Sequence, residues 1–382
     1  MKILFPYMGR WKAVNWTRYH SLLNCMAEMG HEILILQPPP LRSMETNFQE
    51  IDVELHPNIT LLDVEVNRFF WEREMPLNKL VKKGVCSLAS FRMAKRLAAS
   101  GGFDAVLLYN IPQYPFLRIE KGVKIFDYAD DYMEMLAHEL GALSNPLLLG
   151  AGSRLLDRMV RESDIVLAVS HMLAAKIDGN VEVIPNGVDL KKIEAGLERL
   201  DLGLARPVVG FLGAFEYFID FDVILGAASR LPHCTFLMVG TGREWERVSA
   251  EVRGRGLENV VLTGGVPHAK VFSYIDAMDI CLNVFRKIPI SHNACPIKLF
   301  EYLAMKKPVI STRLDELRHI DRDFLFYADS AEELAGRVEE ILSDPSRASL
   351  RAERGYAETA ANFTWQGIAE RLLSVIERAA GG

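Results

Sequence analysis

Cysteine is scarce in this chain and shows no pairing pattern: Cys25, Cys86, Cys234, Cys281 and Cys295 are odd in number, widely scattered and never spaced CxxC. That excludes a disulfide framework, offers no zinc-site spacing and points to the cytosol. No apolar run approaches the ~20 residues a spanning helix needs, so any meeting with a membrane is expected at the surface of the protein. The opening MKILFPYMGR lacks the longer apolar stretch and small-residue cleavage site of a secretory signal and reads as a buried strand. Positive charge is not in excess either: 44 basic against 50 acidic residues argue against a nucleic-acid protein. Repeats and low-complexity tracts are missing. So is a complete GxGxxG with its ribose-binding acid, which disfavours a nicotinamide-dependent oxidoreductase.

What is present is a chain of 382 residues, 49% apolar, enough for more than one core and hence for two domains. Strands are predicted at Ile3 to Phe5, Glu32 to Leu36, Ile59 to Val64, Ala105 to Leu108, Val123 to Asp127 and Ile165 to Val169. Helices fall between them, the longest around Leu77 to Ala99. Such alternation means a parallel sheet covered on both faces. A charged, weakly patterned stretch from Asp189 to Arg206 marks the domain boundary. A second series follows, at Val208 to Gly213, Phe236 to Val239, Val260 to Leu262, Ile280 to Phe285, Val309 to Ser311 and Phe324 to Tyr327. The chain ends in a helix from Trp365 to Ala379 with Ile368, Leu372 and Ile376 on one face. The expected division is 1–190, 203–355 and a final segment 356–382.

The most informative stretch is Ile290 to Arg313, ISHNACPIKLFEYLAMKKPVISTR. Pro296 suits a first helical turn, and Ile297, Phe300 and Ala304 repeat at helical spacing as a core-facing stripe. Lys298 and Glu301 fall off that stripe, three apart and near the helix N-terminus, where free N–H groups and the helix dipole favour an anion such as a diphosphate. A glutamate there can accept two hydrogen bonds from the vicinal diol of a ribose. The plainer alternative is an i,i+3 salt bridge worth ~0.3 kcal/mol. The preceding segment from Arg286 to Cys295, Asn293 included, has no regular periodicity and follows an apolar strand, the place where open α/β sheets bind ligands. Gly210 and Gly213 in GFLGAF and Gly240 and Gly242 in VGTG also follow strands, where a glycine most often makes a tight turn.

Asp127-Tyr128-Ala129-Asp130-Asp131 ends the strand from Val123 and offers a carboxylate for proton transfer. Two other readings stand beside it: a helix cap at Asp127 or Asp130, and a metal-binding carboxylate pair. From Met75 to Phe103 the chain carries Lys79, Lys82, Lys83, Arg92, Lys95 and Arg96 with no acid, just after Phe69-Phe70-Trp71. That segment reads either as a dock for anionic lipid or as a solvated helix face.

Taken together, DIVLAVS at 164–170, IPNGVD at 184–189, GFLG at 210–213 and the segment Pro296 to Ile310 resemble the GT-B glycosyltransferases, most closely the group 1, teichuronic-acid-type bacterial transferases of cell-surface polysaccharides. The resemblance implies two doubly wound Rossmann-like α/β domains facing each other across a cleft, the last helix crossing back onto the first domain. It implies a nucleotide-diphosphate sugar as donor substrate, no cofactor and no active-site metal. The donor would lie in the second domain, with Glu301 on the ribose and Lys298 on the diphosphate. Gly213, Gly242, Arg243, Val266, Pro267, Asn293, Pro296 and Ile297 would surround it. Asp130 would be the catalytic base of an inverting transfer to a lipid-linked or polysaccharide acceptor in the first domain, with Asp127 and Asp131 as neighbouring acids. Retaining members carry Glu-x7-Glu where this chain has Asn293, and Ala214 to Asp220 lacks the usual Arg and Lys, so Lys298, the helix terminus and Arg286 or Lys287 are left to meet the diphosphate. A cytoplasmic protein, peripheral at the inner face of the membrane, is expected. Competing readings are a nucleotide-sugar 2-epimerase of the same architecture, for which His268, His292 and His319 form no recognisable set, and a non-catalytic nucleotide-sugar binder.

Overall fold

The computed structural model describes residues 1–12, 16–39, 55–67, 71, 73, 78–141 and 145–381. They fall into two compact units, Met1–Pro185 with Gln366–Gly382, and Asn186–Trp365.

The first unit is built on a seven-stranded sheet of β1 (Lys2–Pro6), β2 (Glu32–Gln37), β3 (Ile59–Asp63), β4 (Ala105–Leu108), β5 (Val123–Tyr128), β6 (Ile165–Ala168) and β7 (Val181–Val183). Its spatial order is β3-β2-β1-β4-β5-β6-β7, and every pairing is parallel. Runs such as AVLL, VKIFDY and IVLA are buried along their whole length, as strands covered on both faces must be. The final helix, Trp365–Gly381, buries Ile368, Leu372 and Ile376 as the periodicity predicts.

The second unit repeats the plan with β8 (Val208–Leu212), β9 (Thr235–Val239), β10 (Val260–Gly264), β11 (Ile280–Asn283), β12 (Val309–Ser311) and β13 (Phe326–Tyr327), in the order β10-β9-β8-β11-β12-β13. These pairings are parallel too. In each unit the connections run one way from the first strand and the other way from the fourth, which opens a crevice at the carboxyl ends between β1 and β4 and between β8 and β11. The chemistry-bearing residues lie at those two ends.

Candidate active site

In the second unit the loops that leave β8 and β9 meet backbone to backbone. Gly213 N–H donates to the Val239 carbonyl (2.9 Å) and Phe215 N–H to that of Thr241 (3.0 Å). A Cβ on Gly240, whose φ is +133°, would lie 2.0 Å from the Gly213 carbonyl oxygen, and one on Gly242 would lie 2.6 Å from that of Phe215. These glycines therefore serve close approach of two main chains more than a tight turn. Gly213 itself has φ +147°, and a Cβ there would stand 2.8 Å from the Lys298 ammonium. The bare α-carbon makes room for that cation.

Lys298 belongs to the helix Ile297–Ala304, which Pro296 precedes and whose N-terminus has no side-chain cap. Two contacts set the position of this helix. Tyr302 threads its hydroxyl into the end of β8, accepting from Leu212 N–H (2.7 Å) and donating to the Leu212 carbonyl (3.2 Å). Asn186, from the IPNGVD segment, donates to the Cys295 carbonyl (2.6 Å) and so ties down the approach to the helix. The core-facing stripe expected at Ile297, Phe300 and Ala304 is corrected here. Leu299, Phe300, Tyr302, Leu303 and Ala304 are all buried, and Ile297 only partly, because the helix is packed against β11, β12 and the helix Pro345–Asn362 together.

Within this apolar setting Lys298 and Glu301 do not form the i,i+3 salt bridge. Among the described residues neither side chain has a hydrogen-bond or ion-pair partner; the ammonium stands 4.0 Å from the Phe211 ring centre and 5.3 Å from that of Phe285. Glu301 is 8% exposed. Lys298 retains some contact with solvent but is enclosed by protein. Burial pushes its ammonium down to about 7 and the Glu301 carboxyl up to about 7, each opposed by the charge of the other. A buried carboxyl and a protein-enclosed ammonium, neither with a hydrogen-bond or ion-pair partner among the described residues, stand at an uncapped helix end and form a site that costs stability until a ligand supplies what they lack.

The remaining cations of this rim are engaged. Arg243 faces Glu216 (3.4 Å), Arg286 faces Asp222 (3.4 Å) and Lys287 faces Asp329 (2.7 Å). Val266 is partly buried and Pro267 exposed in the loop after β10, where a Cβ on Gly265 would stand 3.3 Å from Thr241. Asn293 is buried at the end of the short helix Pro289–His292.

In the first unit, the turn after β5 separates its three aspartates by what each one touches. Asp127 is buried, and its Oδ2 lies 3.1 Å from Arg18 Nε. Desolvation raises its carboxyl, with Arg18 opposing. Asp131 is also buried; its Oδ1 caps the helix Tyr132–Leu140 by accepting from Glu134 N–H (3.3 Å), and its Oδ2 accepts from Lys176 Nζ (2.6 Å). The cap expected at Asp127 or Asp130 thus sits at Asp131. Asp130 is open to solvent and has no hydrogen bond or ion pair among the described residues. It is nonetheless crowded by protein, and desolvation pushes its carboxyl up to about 6, with Arg18 opposing and Asp127 and Asp131 adding to the rise.

The basic stretch is corrected in part. It forms the helix Asn78–Ser100, but Lys82 is 0% exposed and lies 5.9 Å from the ring centre of Trp71, which is itself buried with Cys86. The long aliphatic stem of the lysine lets it share that small core. Arg92, Lys95 and Arg96 are exposed, as are Val81 and Leu88 on the same helix. Phe69, Phe70 and the side chain of Lys79 lie outside the described residues. No described helix is long and apolar enough to cross a membrane.

Sequence reasoning passed over Tyr302, Phe211, Phe285, Asn186, Arg18 and Lys176. A tyrosine beside Glu301 in an otherwise apolar helix was the one local signal, since a buried phenol needs a partner.

Residues 222–374 match a family model described as glycosyl transferase-like. The chain is 27% identical over 242 residues to a protein of Bacillus subtilis (strain 168) described as a teichuronic acid biosynthesis glycosyltransferase, TuaH, and the match spans 60% of each chain. Among solved structures, sucrose-phosphate synthase from Thermosynechococcus elongatus superimposes with a TM-score of 0.80 at 17% identity, over 99% of this chain and 98% of that one. HepE of Anabaena, solved in complex with UDP and glucose, gives 0.72 at 15% identity over 99% and 100%.

Proposed function

We propose that this chain, a glycosyltransferase with a glycosyl transferase-like second unit and the GT-B fold, moves a sugar from a uridine diphosphate sugar to a lipid-linked or polysaccharide acceptor in the making of a cell-surface glycan. The observation that carries the reading is the pair Lys298 and Glu301 at an uncapped helix N-terminus, neither of which has a hydrogen-bond or ion-pair partner among the described residues. A nucleoside diphosphate supplies what the pair lacks: oxygens for the ammonium and the free N–H groups, and a ribose diol for the carboxylate. HepE, which shares the fold, is described with UDP and glucose, and TuaH is described by its part in teichuronic acid synthesis; both names favour this donor and acceptor class.

In the transfer step the acceptor hydroxyl gives its proton to the Asp130 carboxylate while its oxygen attacks the anomeric carbon. The bond from that carbon to the diphosphate oxygen breaks, and its electron pair leaves with the diphosphate, where Lys298 and the helix terminus stabilise the charge. No metal or cofactor enters this scheme. The exposed Arg92, Lys95 and Arg96, with Val81 and Leu88 on the same helix, suit an anionic membrane carrying the acceptor. The deciding experiment incubates the protein with a panel of UDP- and GDP-sugars, with and without a bacterial membrane lipid extract. Release of nucleoside diphosphate coupled to labelled lipid or polymer is expected. Binding without release leaves a non-catalytic binder, and isomerised nucleotide sugar leaves an epimerase.

A further inference from the structure

We propose that Lys176 is a positioning residue: its ion pair with Asp131 holds the turn after β5 so that Asp130 is the carboxylate presented to the acceptor. The inference rests on the reading of Asp130 as base. Three acids lie within five residues, and the structure treats them unequally. Arg18, from the helix Arg18–Glu28, faces Asp127 at 3.1 Å and anchors its own Nη2 on the Ile184 carbonyl (2.9 Å). Lys176 faces Asp131 at 2.6 Å. It stands just beyond the short helix His171–Ala174, which Ser170 caps at the carboxyl end of β6, the sheet neighbour of β5. Tyr132 adds a further tie, its one hydroxyl proton shared between the carbonyls of Asp127 and Tyr109.

Both oxygens of Asp131 are consequently spoken for, one by Glu134 N–H and one by Lys176. The groups that bear on Asp130 are Arg18 from the first helix, Asp127 and Tyr128 from β5, and Asp131 and Tyr132 at the start of the next helix. With Lys176 removed, Asp131, which already bears on Asp130, loses the cation that faces it, and the turn loses one of its anchors.

The test compares Lys176→Met, Lys176→Arg, Asp130→Asn and the double variant Lys176→Met with Asp131→Asn. Turnover is read with whichever nucleotide sugar of the panel reacts, and binding is read with UDP. Lys176→Met is expected to lower kcat about tenfold with KM for the donor and UDP affinity unchanged. It also moves the acid limb of the pH profile upward, the direction set by a like charge that has lost its counter-ion. Lys176→Arg restores both, and the double variant restores the pH limb because no charge is left to compensate. Wild-type kcat and pH profile in Lys176→Met, with Asp130→Asn inactive, would overturn the proposal alone. Full transfer by Asp130→Asn would instead overturn the base assignment on which it rests. A loss in Lys176→Met that arginine fails to restore, and that follows melting temperature, would also overturn it.

Discussion

At the scale of single residues, burial decides which charges are available for work. Lys298 and Glu301 are disfavoured as ions by their surroundings, so each gains most when a ligand brings the opposite partner. Lys298→Ala should weaken UDP binding strongly and uridine binding little, and Glu301→Ala should weaken both, as calorimetry would report. Because the Lys298 ammonium is lost above about 7 while the Glu301 carboxylate is lost below about 7, UDP affinity in the parent should peak near that pH and fall on the alkaline side as the ammonium goes. Uridine affinity should lack that fall.

Asp130 titrates in the opposite sense: its carboxylate exists above about 6, so transfer should be lost as pH drops through that point. Asp130→Asn should reduce turnover ~10²-fold or more while UDP affinity persists. Asp127→Asn behaves differently. It removes the buried carboxylate that faces Arg18 at 3.1 Å, and its main signature should be a lowered melting temperature.

At the scale of elements, the donor rim depends on backbone approach that only glycine permits. A Gly240→Ala methyl would meet the Gly213 carbonyl oxygen at 2.0 Å from a φ of +133°, and both faults lie in main chain that has nowhere to move. The variant should destabilise the second unit by ~1–3 kcal/mol or more, measured by denaturant titration. Gly213→Ala meets the far end of the Lys298 side chain, which can swing away. It should lose UDP affinity out of proportion to stability, and equal losses in both would refute the seat assigned to Lys298. The loop glycines were visible in the sequence as turn formers; that Gly240 and Gly242 face another main chain was not, since no local pattern records which loop will lie opposite. The helix Ile297–Ala304 was legible in place and extent. Its faces were not, because a helix packed on several sides has no single apolar stripe to read.

At the scale of the whole molecule, the exposed basic residues Arg92, Lys95 and Arg96 predict salt-sensitive sedimentation with anionic liposomes. Replacing these three with Glu should abolish it and leave UDP binding unchanged; equal sedimentation of variant and parent would return the helix to an ordinary solvated face. Lys82 is left out of that test, since a glutamate there would be buried beside Trp71.

The sequence by itself determined the alternation of short apolar strands with helices, the doubling of that series, and a helix start carrying Lys298 and Glu301 after an irregular loop. These are properties of neighbours along the chain, where periodicity and turn chemistry act within a few residues. Only the tertiary structure decided that Lys298 rests over Phe211 and against Gly213 in place of pairing with Glu301. It also decided that Arg18 and Lys176 engage Asp127 and Asp131 and leave Asp130 without an ion-pair partner among the described residues, and that Lys82 turns inward. Each of these depends on partners between 11 and 109 positions away, brought together by sheet order, and the energy of a buried charge is set by those distant partners rather than by its own place in the sequence.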